Sequence, residues 1–230
     1  MAKSKLVAAA DHDRLFFIRW MLLLIVANDA AGLPAASRQR LHSLLFVSFA
    51  SSRFYGIEPL RQRARRTEQG PYYRMAHVAL GHLVMGGHLE VSDFHAHPAP
   101  RDLQFEGIFR PTLAGLSAAD FLRKSATGDQ LYRFLLDICL ASADAIGPVA
   151  GDLEAISLER TLDEDLTYQR AVRKHGEILE LQDPAEVDTP TVRGLNSIDE
   201  RLRARGFFNR RDVVAAYQSL MVRRSARASV

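Results

Sequence analysis

The predicted fold is decided by the stretch Leu83-Val-Met-Gly-Gly-His-Leu-Glu-Val-Ser-Asp-Phe94, because its periodicity changes in the middle. Up to Leu83, apolar residues recur at helical spacing, and the pair Gly86-Gly87 is typical of a helix end. From His88 onward, apolar and polar residues alternate as in a half-buried strand. Residues 103–109 alternate in the same way, so the two segments are predicted to pair as a β-hairpin with residues 95–102 at its tip.

The residues before this stretch predict three helices. Two helices are expected at residues 13–28 and 36–53, and the third is expected to begin at Gly70-Pro71, with proline in the favoured first position. Residues 60–70 are basic and show no apolar period, so they are predicted to form a loop. Three helices followed by a hairpin is the order of a winged helix-turn-helix unit. This order predicts a winged-helix-like domain at residues 1–112.

The rest of the chain predicts a helical domain at residues 113–230. Thr161-Leu-Asp-Glu164 has the spacing of a capping box, Thr189-Pro190 is a helix start, and Asn209 is suited to cap the last helix. Helices are expected at residues 117–126, 129–145, 161–176, 189–206 and from 209 onward. The predicted fold class is therefore mainly α with a small β-hairpin.

The composition is that of an ordinary globular protein. Of the 230 residues, 47% are hydrophobic and 25% are charged. Cys139 is the single cysteine, so no intramolecular disulfide can form, which fits a reducing compartment. The strongest apolar run, residues 15–27, is interrupted by Arg19 and is shorter than the roughly 20 residues that a membrane span needs. We therefore expect a cytoplasmic protein that does not engage a membrane.

Positive charge is carried almost entirely by arginine and is distributed unevenly. Residues 151–188 hold eleven acids and four bases, a net charge of −7, whereas residues 201–230 hold eight arginines and one acid, a net charge of +7. Two interpretations remain open. The two segments neutralise each other within one domain, or they form a basic surface for phosphate and an acidic surface for a protein partner.

Three groups of arginines are candidates for contacts with DNA phosphates: one in the basic loop, one on the third helix and one in the last helix. The candidate residues are Arg61, Arg63, Arg65, Arg66, Arg74, Arg210, Arg211, Arg223 and Arg224. Each neutralised phosphate releases counterions and strengthens binding independently of base sequence. The alternatives are a solvated loop, a packing role for the third helix, and neutralisation of Arg210 and Arg211 by the acidic segment.

The third helix predicts binding that is mostly non-specific. It carries Arg74, His77 and Gly81 on one side, and among these only Arg74 is a strong reader of base edges. Gly81 could permit a close approach of the backbone. A helix with one such residue is poorly equipped to recognise a defined operator.

A histidine-rich segment is the main indication of enzymatic chemistry. His88, Asp93, His95, His97 and Asp102 lie close together, and on a strand His95 and His97 would point to the same face, as metal ligands must. No partner at fixed spacing appears elsewhere in the sequence. Solvent-exposed histidines of a hairpin are the simpler interpretation.

No complete catalytic motif is present. The acids of Asp163-Glu-Asp165 are explained by the preference for negative charge at a helix start. Gly86-Gly87 lacks the following Lys-Ser/Thr of a phosphate loop, and no Gly-x-Ser-x-Gly elbow occurs. No catalytic residue, bound metal or cofactor is therefore predicted.

Three features together carry a resemblance to a known family. They are the apolar first helix, the helix Arg40-Leu-His-Ser-Leu-Leu45, and the phrase Gly70-Pro-Tyr-Tyr-Arg74 leading to Leu83-Val-Met-Gly-Gly-His-Leu89. With them, residues 14–94, about a third of the chain, resemble the small middle subunits of bacterial three-component conflict systems built around an ABC or SMC-like ATPase, of which Lamassu is one. Such subunits are similar to the winged-helix partners of SMC-kleisin complexes.

The resemblance implies a non-enzymatic subunit that bridges an SMC/ABC-type ATPase and an effector and helps the complex to grip or sense foreign double-stranded DNA. Two other functions stay open at this point. A stand-alone winged-helix transcription regulator would need a dimer and a base-reading helix. A metal-dependent hydrolase would use the histidines of residues 88–102.

Overall fold

The computed structural model describes residues 2–59, 63–67, 70–99, 102–146, 161–175, 178–181, 187–206 and 208–228. These residues form eight α-helices, two 3-10 turns and two three-stranded antiparallel sheets. The helices are α1 (Ala2–Ala30), α2 (Arg38–Ser51), α3 (Arg74–Met85), α4 (Leu113–Arg123), α5 (Ala126–Ile146), α6 (Leu166–His175), α7 (Pro190–Arg203) and α8 (Arg210–Ala228). The strands are β1 (Ala36–Ser37), β2 (Ala64–Thr67), β3 (Gly70–Tyr72), β4 (Leu89–Ala99), β5 (Asp102–Pro111) and β6 (Ile178–Leu179). The predicted fold class, mainly α with a small β part, is confirmed.

The chain divides into two compact units, each built from two separate segments. Unit one comprises residues 1–41 and 74–133, and unit two comprises residues 42–73 and 134–230. The predicted boundary between residues 112 and 113 falls inside unit one, between β5 and α4.

Helix α1 forms the core of unit one. Trp20, Met21, Leu23 and Leu24 are all fully buried, because α3, α4 and β5 all pack against this helix. The sequence predicted an apolar first helix, and an apolar helix has to be covered by other elements in this way. The helix is longer than predicted. None of the helices in the described part of the chain is long and apolar enough to cross a membrane.

The hairpin of β4 and β5 is confirmed, and it carries a third strand. The two residues of β1 pair with β5, which gives the strand order β1-β5-β4. Residues 95–99, which were predicted to belong to the hairpin tip, continue β4, since Ala99 pairs with Asp102. A register shift between Ser92 and His95 interrupts the ladder, where Asp93 adopts a φ of 50°.

The interpretation of residues 60–70 as a loop is wrong for its described part. Strand β2 lies between β3 and β6 in a second sheet, and Ala64 and Leu179 are buried where β2 meets β6. Pro71 does not open the third helix, because it lies in the edge strand β3, a position that tolerates proline. Helix α3 begins at Arg74 instead.

Side-chain caps set several helix ends as the sequence predicted. Thr189 caps α7 by accepting a hydrogen bond from the Val192 amide at 3.1 Å. Asn209 and Asp212 form a reciprocal cap at the start of α8, with bonds of 3.0 and 2.9 Å. The predicted capping box at Thr161 is wrong: residues 162–164 form a 3-10 turn without a side-chain cap.

Candidate nucleic-acid interface

Strand β2 presents the arginines of the predicted basic loop. Arg65 and Arg66 are exposed, and Arg65 lies in register with Tyr72 on one side and Ile178 on the other. Arg63 is 72% exposed but pairs with Glu180, with 2.7 Å between Nε and Oε1. Arg61 lies outside the described residues. The strand therefore holds Arg65 and Arg66 in a fixed register, which a loop would not do.

Arg66 also forms a hydrogen bond with Tyr168 of α6 within unit two. Burial raises the pKa of the Tyr168 phenol, and a hydrogen bond from Arg66 opposes that rise. The bond couples β2 to α6 but leaves the guanidinium at the surface. A guanidinium carries five N–H donors, so one internal bond does not prevent it from contacting phosphate.

Helix α3 exposes few side chains that could contact DNA. Arg74, His82 and Met85 are exposed, whereas His77 is buried. The predicted face of Arg74, His77 and Gly81 is therefore not available as one surface. A helix whose exposed side offers one arginine and one histidine has few donors for reading base edges.

Both arginines in the first turn of α8 have partners within unit two. Arg211 forms an ion pair with Asp144 at 2.8 Å, and Arg210 lies over the rings of Phe54 and Tyr55 at 6.0 and 5.6 Å. The sequence had left open whether residues 151–188 or a phosphate would offset these charges. Asp144 lies just outside that segment and provides the offset for Arg211.

The arginines near the C-terminal end of α8 are less restrained by internal partners than those of its first turn. Arg223 and Arg224 are both exposed, and neither forms an ion pair within the part of the chain that the structure describes. Arg227 follows in the last turn, where positive charge suits the helix dipole. This part of α8 is available to polyanions.

The histidines of residues 88–97 form no metal site with the other side chains that the structure describes. Among the described residues, no three His, Cys, Asp or Glu side chains come together as metal ligands. His95 is exposed, and its Nδ1 lies 2.8 Å from the Asp93 carbonyl oxygen. The side chains of His97 and Asp102 lie outside the described part of the chain, so the predicted pairing of His95 with His97 stays a prediction.

Sequence reasoning missed the role of Asp165. Its carboxylate is fully buried and accepts hydrogen bonds from the amides of Thr167 and Tyr168, both at 2.9 Å, and from the hydroxyls of Thr191 and Tyr217 at 2.8 and 3.0 Å. These bonds connect the start of α6 with α7 and α8. The sequence showed only three adjacent acids before a helix, and nothing in that pattern distinguishes the buried one.

Comparison of the chain with models of known protein families, with curated proteins and with solved structures finds no match.

Proposed function

We propose that this chain is a non-enzymatic winged-helix subunit that holds double-stranded DNA through the phosphate backbone, as the accessory subunit of an SMC/ABC-type ATPase complex in bacterial defence. The observation that carries the proposal lies within unit one, where helix α3 is followed directly by the hairpin of β4 and β5, and β1 completes a sheet of order β1-β5-β4. Helices followed by a β-ribbon, with a helix available for the major groove, are the parts of winged helix-turn-helix proteins that bind DNA.

The exposed arginines support contacts with the phosphate backbone. Arg65 and Arg66 on β2, Arg74 on α3, and Arg223 and Arg224 on α8 all reach solvent. Arginine matches phosphate with two parallel N–H donors, and such contacts carry affinity rather than base specificity. Arg63 and Arg211 contribute less to this proposal, because each has an internal carboxylate partner.

The exposed side of α3 favours an accessory subunit over a stand-alone regulator. A regulator that recognises an operator needs several base-reading side chains on its recognition helix. Buried His77 cannot supply one, and the exposed Met85 side chain has no hydrogen-bond donor. An accessory subunit needs only to bind the DNA backbone without base specificity, because its partner proteins supply the selectivity of the complex.

The DNA half of the proposal is tested by fluorescence anisotropy with two unrelated duplexes of equal length, over a series of salt concentrations. We expect equal affinities for both duplexes and a linear fall of log K with log salt. Arg74→Ala should weaken binding to both duplexes equally and reduce the salt slope by about 1. Arg65→Ala with Arg66→Ala should reduce it by about 2.

Arg133→Ala is the matched control. Arg133 is an exposed arginine on α5 that pairs with Asp129 and is not a candidate residue. Equal losses in Arg133→Ala and Arg74→Ala would show that only the net charge matters and would contradict an interface on α3. A strong preference for one duplex would favour the transcription regulator.

The partner half of the proposal is tested by co-expression with the products of the neighbouring genes. We expect a large ATPase with a long coiled-coil insertion to be encoded there and to co-purify with this chain at high salt. Absence of such a neighbour, or a chain that purifies alone, would contradict the proposal even if DNA binding is found.

A further inference from the structure

The outer edge of strand β4 lies open in unit one. In the sheet of order β1-β5-β4, strand β4 is at one end, and among the described residues no strand pairs with it on the side opposite β5. Such an edge offers a row of backbone N–H and C=O groups to another extended chain. Proteins usually protect an edge with lysine, with proline or by keeping the strand very short. Residues 89–97 of β4 contain neither lysine nor proline.

The register shows which backbone groups of β4 point away from the sheet. The carbonyl oxygen of His88 accepts a hydrogen bond from the Thr112 amide at 3.1 Å. Because opposed residues in an antiparallel pair alternate between bonded and non-bonded positions, every second residue from His88 bonds to β5. The N–H and C=O groups of Leu89 and Val91 therefore point outward. Each of these two residues offers one donor and one acceptor to a second extended chain.

A bulge directly after this stretch brings an acid and an aromatic ring to the surface. Asp93 and Phe94 fall within the register shift between Ser92 and His95, and Asp93 has a φ of 50°. Asp93 is exposed, and Phe94 is 56% exposed. A carboxylate beside an exposed ring suits a cationic side chain, which can pair with the carboxylate and lie against the ring.

The charge of the hairpin decides what fits this edge. Over residues 88–111, four acids stand against two arginines, a net charge of −2. Glu90 and Asp93 are exposed, and within the described part of the chain neither forms an ion pair, although Arg110 lies opposite Glu90 in the register. DNA phosphates are repelled by such an edge. A second copy pairing through the same edge would bring its acids close to these, and like charges on facing strands are destabilising.

We propose that the free edge of β4 binds a short, basic, extended segment of a partner protein, which adds to the sheet as a fourth strand. The backbone of that segment bonds to Leu89 and Val91, and its lysine or arginine side chains lie beside Glu90 and Asp93. In this mode of recognition the backbone bonds supply affinity and the alternate side chains supply specificity. The interaction does not depend on the proposed binding of DNA.

Fluorescence anisotropy of the full chain with a labelled peptide, Lys-Thr repeated four times, tests the proposal. A peptide of Lys-Pro repeated four times is the matched probe, because it carries the same charge but lacks every second N–H donor and adopts the polyproline II conformation. We expect the Lys-Thr peptide to bind at least about tenfold more tightly, since only it can form the backbone bonds.

Variants of the chain separate the charge from the backbone. Glu90→Gln combined with Asp93→Asn removes both charges and should weaken binding of the Lys-Thr peptide about fivefold. Val91→Pro removes an outward N–H without removing a bond to β5, and should also weaken binding about fivefold. Glu200→Gln is the matched control, because Glu200 is an exposed acid of α7 in unit two, and it should leave binding unchanged. Far-UV circular dichroism should show that the variants fold.

The proposal is overturned if the Lys-Thr peptide does not bind, if both peptides bind equally, or if Glu200→Gln loses as much affinity as the double variant. A double variant that binds duplex DNA more tightly and the peptide as before would place this edge at a nucleic-acid surface, which also contradicts the proposal. Weaker peptide binding by the double variant, with DNA binding unchanged, would support it.

Discussion

Asp165 holds three helices together from a position with no access to water. One carboxylate oxygen accepts two backbone amides of α6, and the other accepts the hydroxyls of Thr191 and Tyr217. Thr167 and Thr191 are also joined to each other, with 2.7 Å between their hydroxyl oxygens. Every polar atom in such a buried network has to be satisfied, because an orphaned donor there loses its water without gaining a partner.

Asp165→Ala should therefore cost about 3 kcal/mol or more of unfolding free energy, since it leaves two amides and two hydroxyls without their acceptor. Asp165→Asn should cost about 1 kcal/mol, because the amide oxygen can still accept from the backbone while its NH₂ donates to the hydroxyls. Urea denaturation of both variants measures the difference. Equal losses would mean that the network depends on the carboxylate charge rather than on the hydrogen bonds.

The pH dependence of stability gives a second prediction for Asp165. Burial raises the pKa of this carboxyl, and its hydrogen bonds lower it only in part. A carboxyl whose folded-state pKa lies above its unfolded value takes up protons on folding, so its contribution is greatest in acid and is lost as the pH rises through the raised pKa. From about pH 4 upward, the native chain should lose stability relative to Asp165→Asn as its buried carboxyl is forced to ionise. A constant difference across this range, measured by urea denaturation, would contradict the raised pKa.

Helices and strands whose caps or pairing partners are close in sequence could be predicted. Strands whose pairing partners are far away in sequence could not. Thr189 and Asn209 cap their helices through residues three positions on, and the hairpin strands are neighbours in sequence. Strand β2, by contrast, is four residues long and pairs with the two residues of β6 more than a hundred positions away. So short an alternation is indistinguishable from a loop. The arginines of the candidate interface could be predicted because their clustering is visible in the sequence itself. The burial of His77 and the pairing of Arg63 with Glu180 could not, because both depend on tertiary packing.

Two helical glycines should respond to alanine in opposite ways. A Cβ on Gly81 in α3 would meet no heavy atom within 4 Å, so Gly81→Ala should stabilise the chain by about 0.5–1 kcal/mol through helix propensity. A Cβ on Gly115 in α4 would lie against the His88 carbonyl oxygen, and Gly115→Ala should destabilise by about 1–3 kcal/mol. Thermal unfolding should show a higher midpoint for Gly81→Ala and a lower midpoint for Gly115→Ala than for the unsubstituted chain. A higher midpoint for Gly115→Ala would mean that α4 does not pack on the turn before β4.

Thr189 serves two elements of unit two at once. Its hydroxyl accepts from the Val192 amide to cap α7 and donates to the Ala50 carbonyl of α2. Thr189→Ala should cost about 2 kcal/mol, the upper end for a lost cap, because a buried carbonyl also loses its donor. Thr189→Ser retains the hydroxyl and should recover most of that loss in chemical denaturation. A serine variant as unstable as the alanine variant would assign the effect to the threonine methyl group instead.

At the scale of the whole molecule, each compact unit is assembled from two separate parts of the chain. Residues 42–73 belong with residues 134–230, and residues 1–41 belong with residues 74–133. A boundary inferred from a change in helical content cannot reveal this arrangement, because it assumes that each domain is one continuous segment. Any fragment that ends within residues 74–133 therefore contains part of unit two without the segment that completes it.

A fragment of residues 1–112, the predicted winged-helix domain, should consequently fail to fold on its own. It lacks α4, which packs against α1 and β5, and it lacks β6, which pairs with β2. The fully buried side chains of α1 would lose part of their cover, and apolar surface costs about 25 cal/mol for each Å² that water reaches. Urea denaturation followed by circular dichroism should show a cooperative transition for the full chain and none for the fragment. A cooperative transition in the fragment would contradict this prediction, because it would mean that residues 31–112 suffice to cover α1.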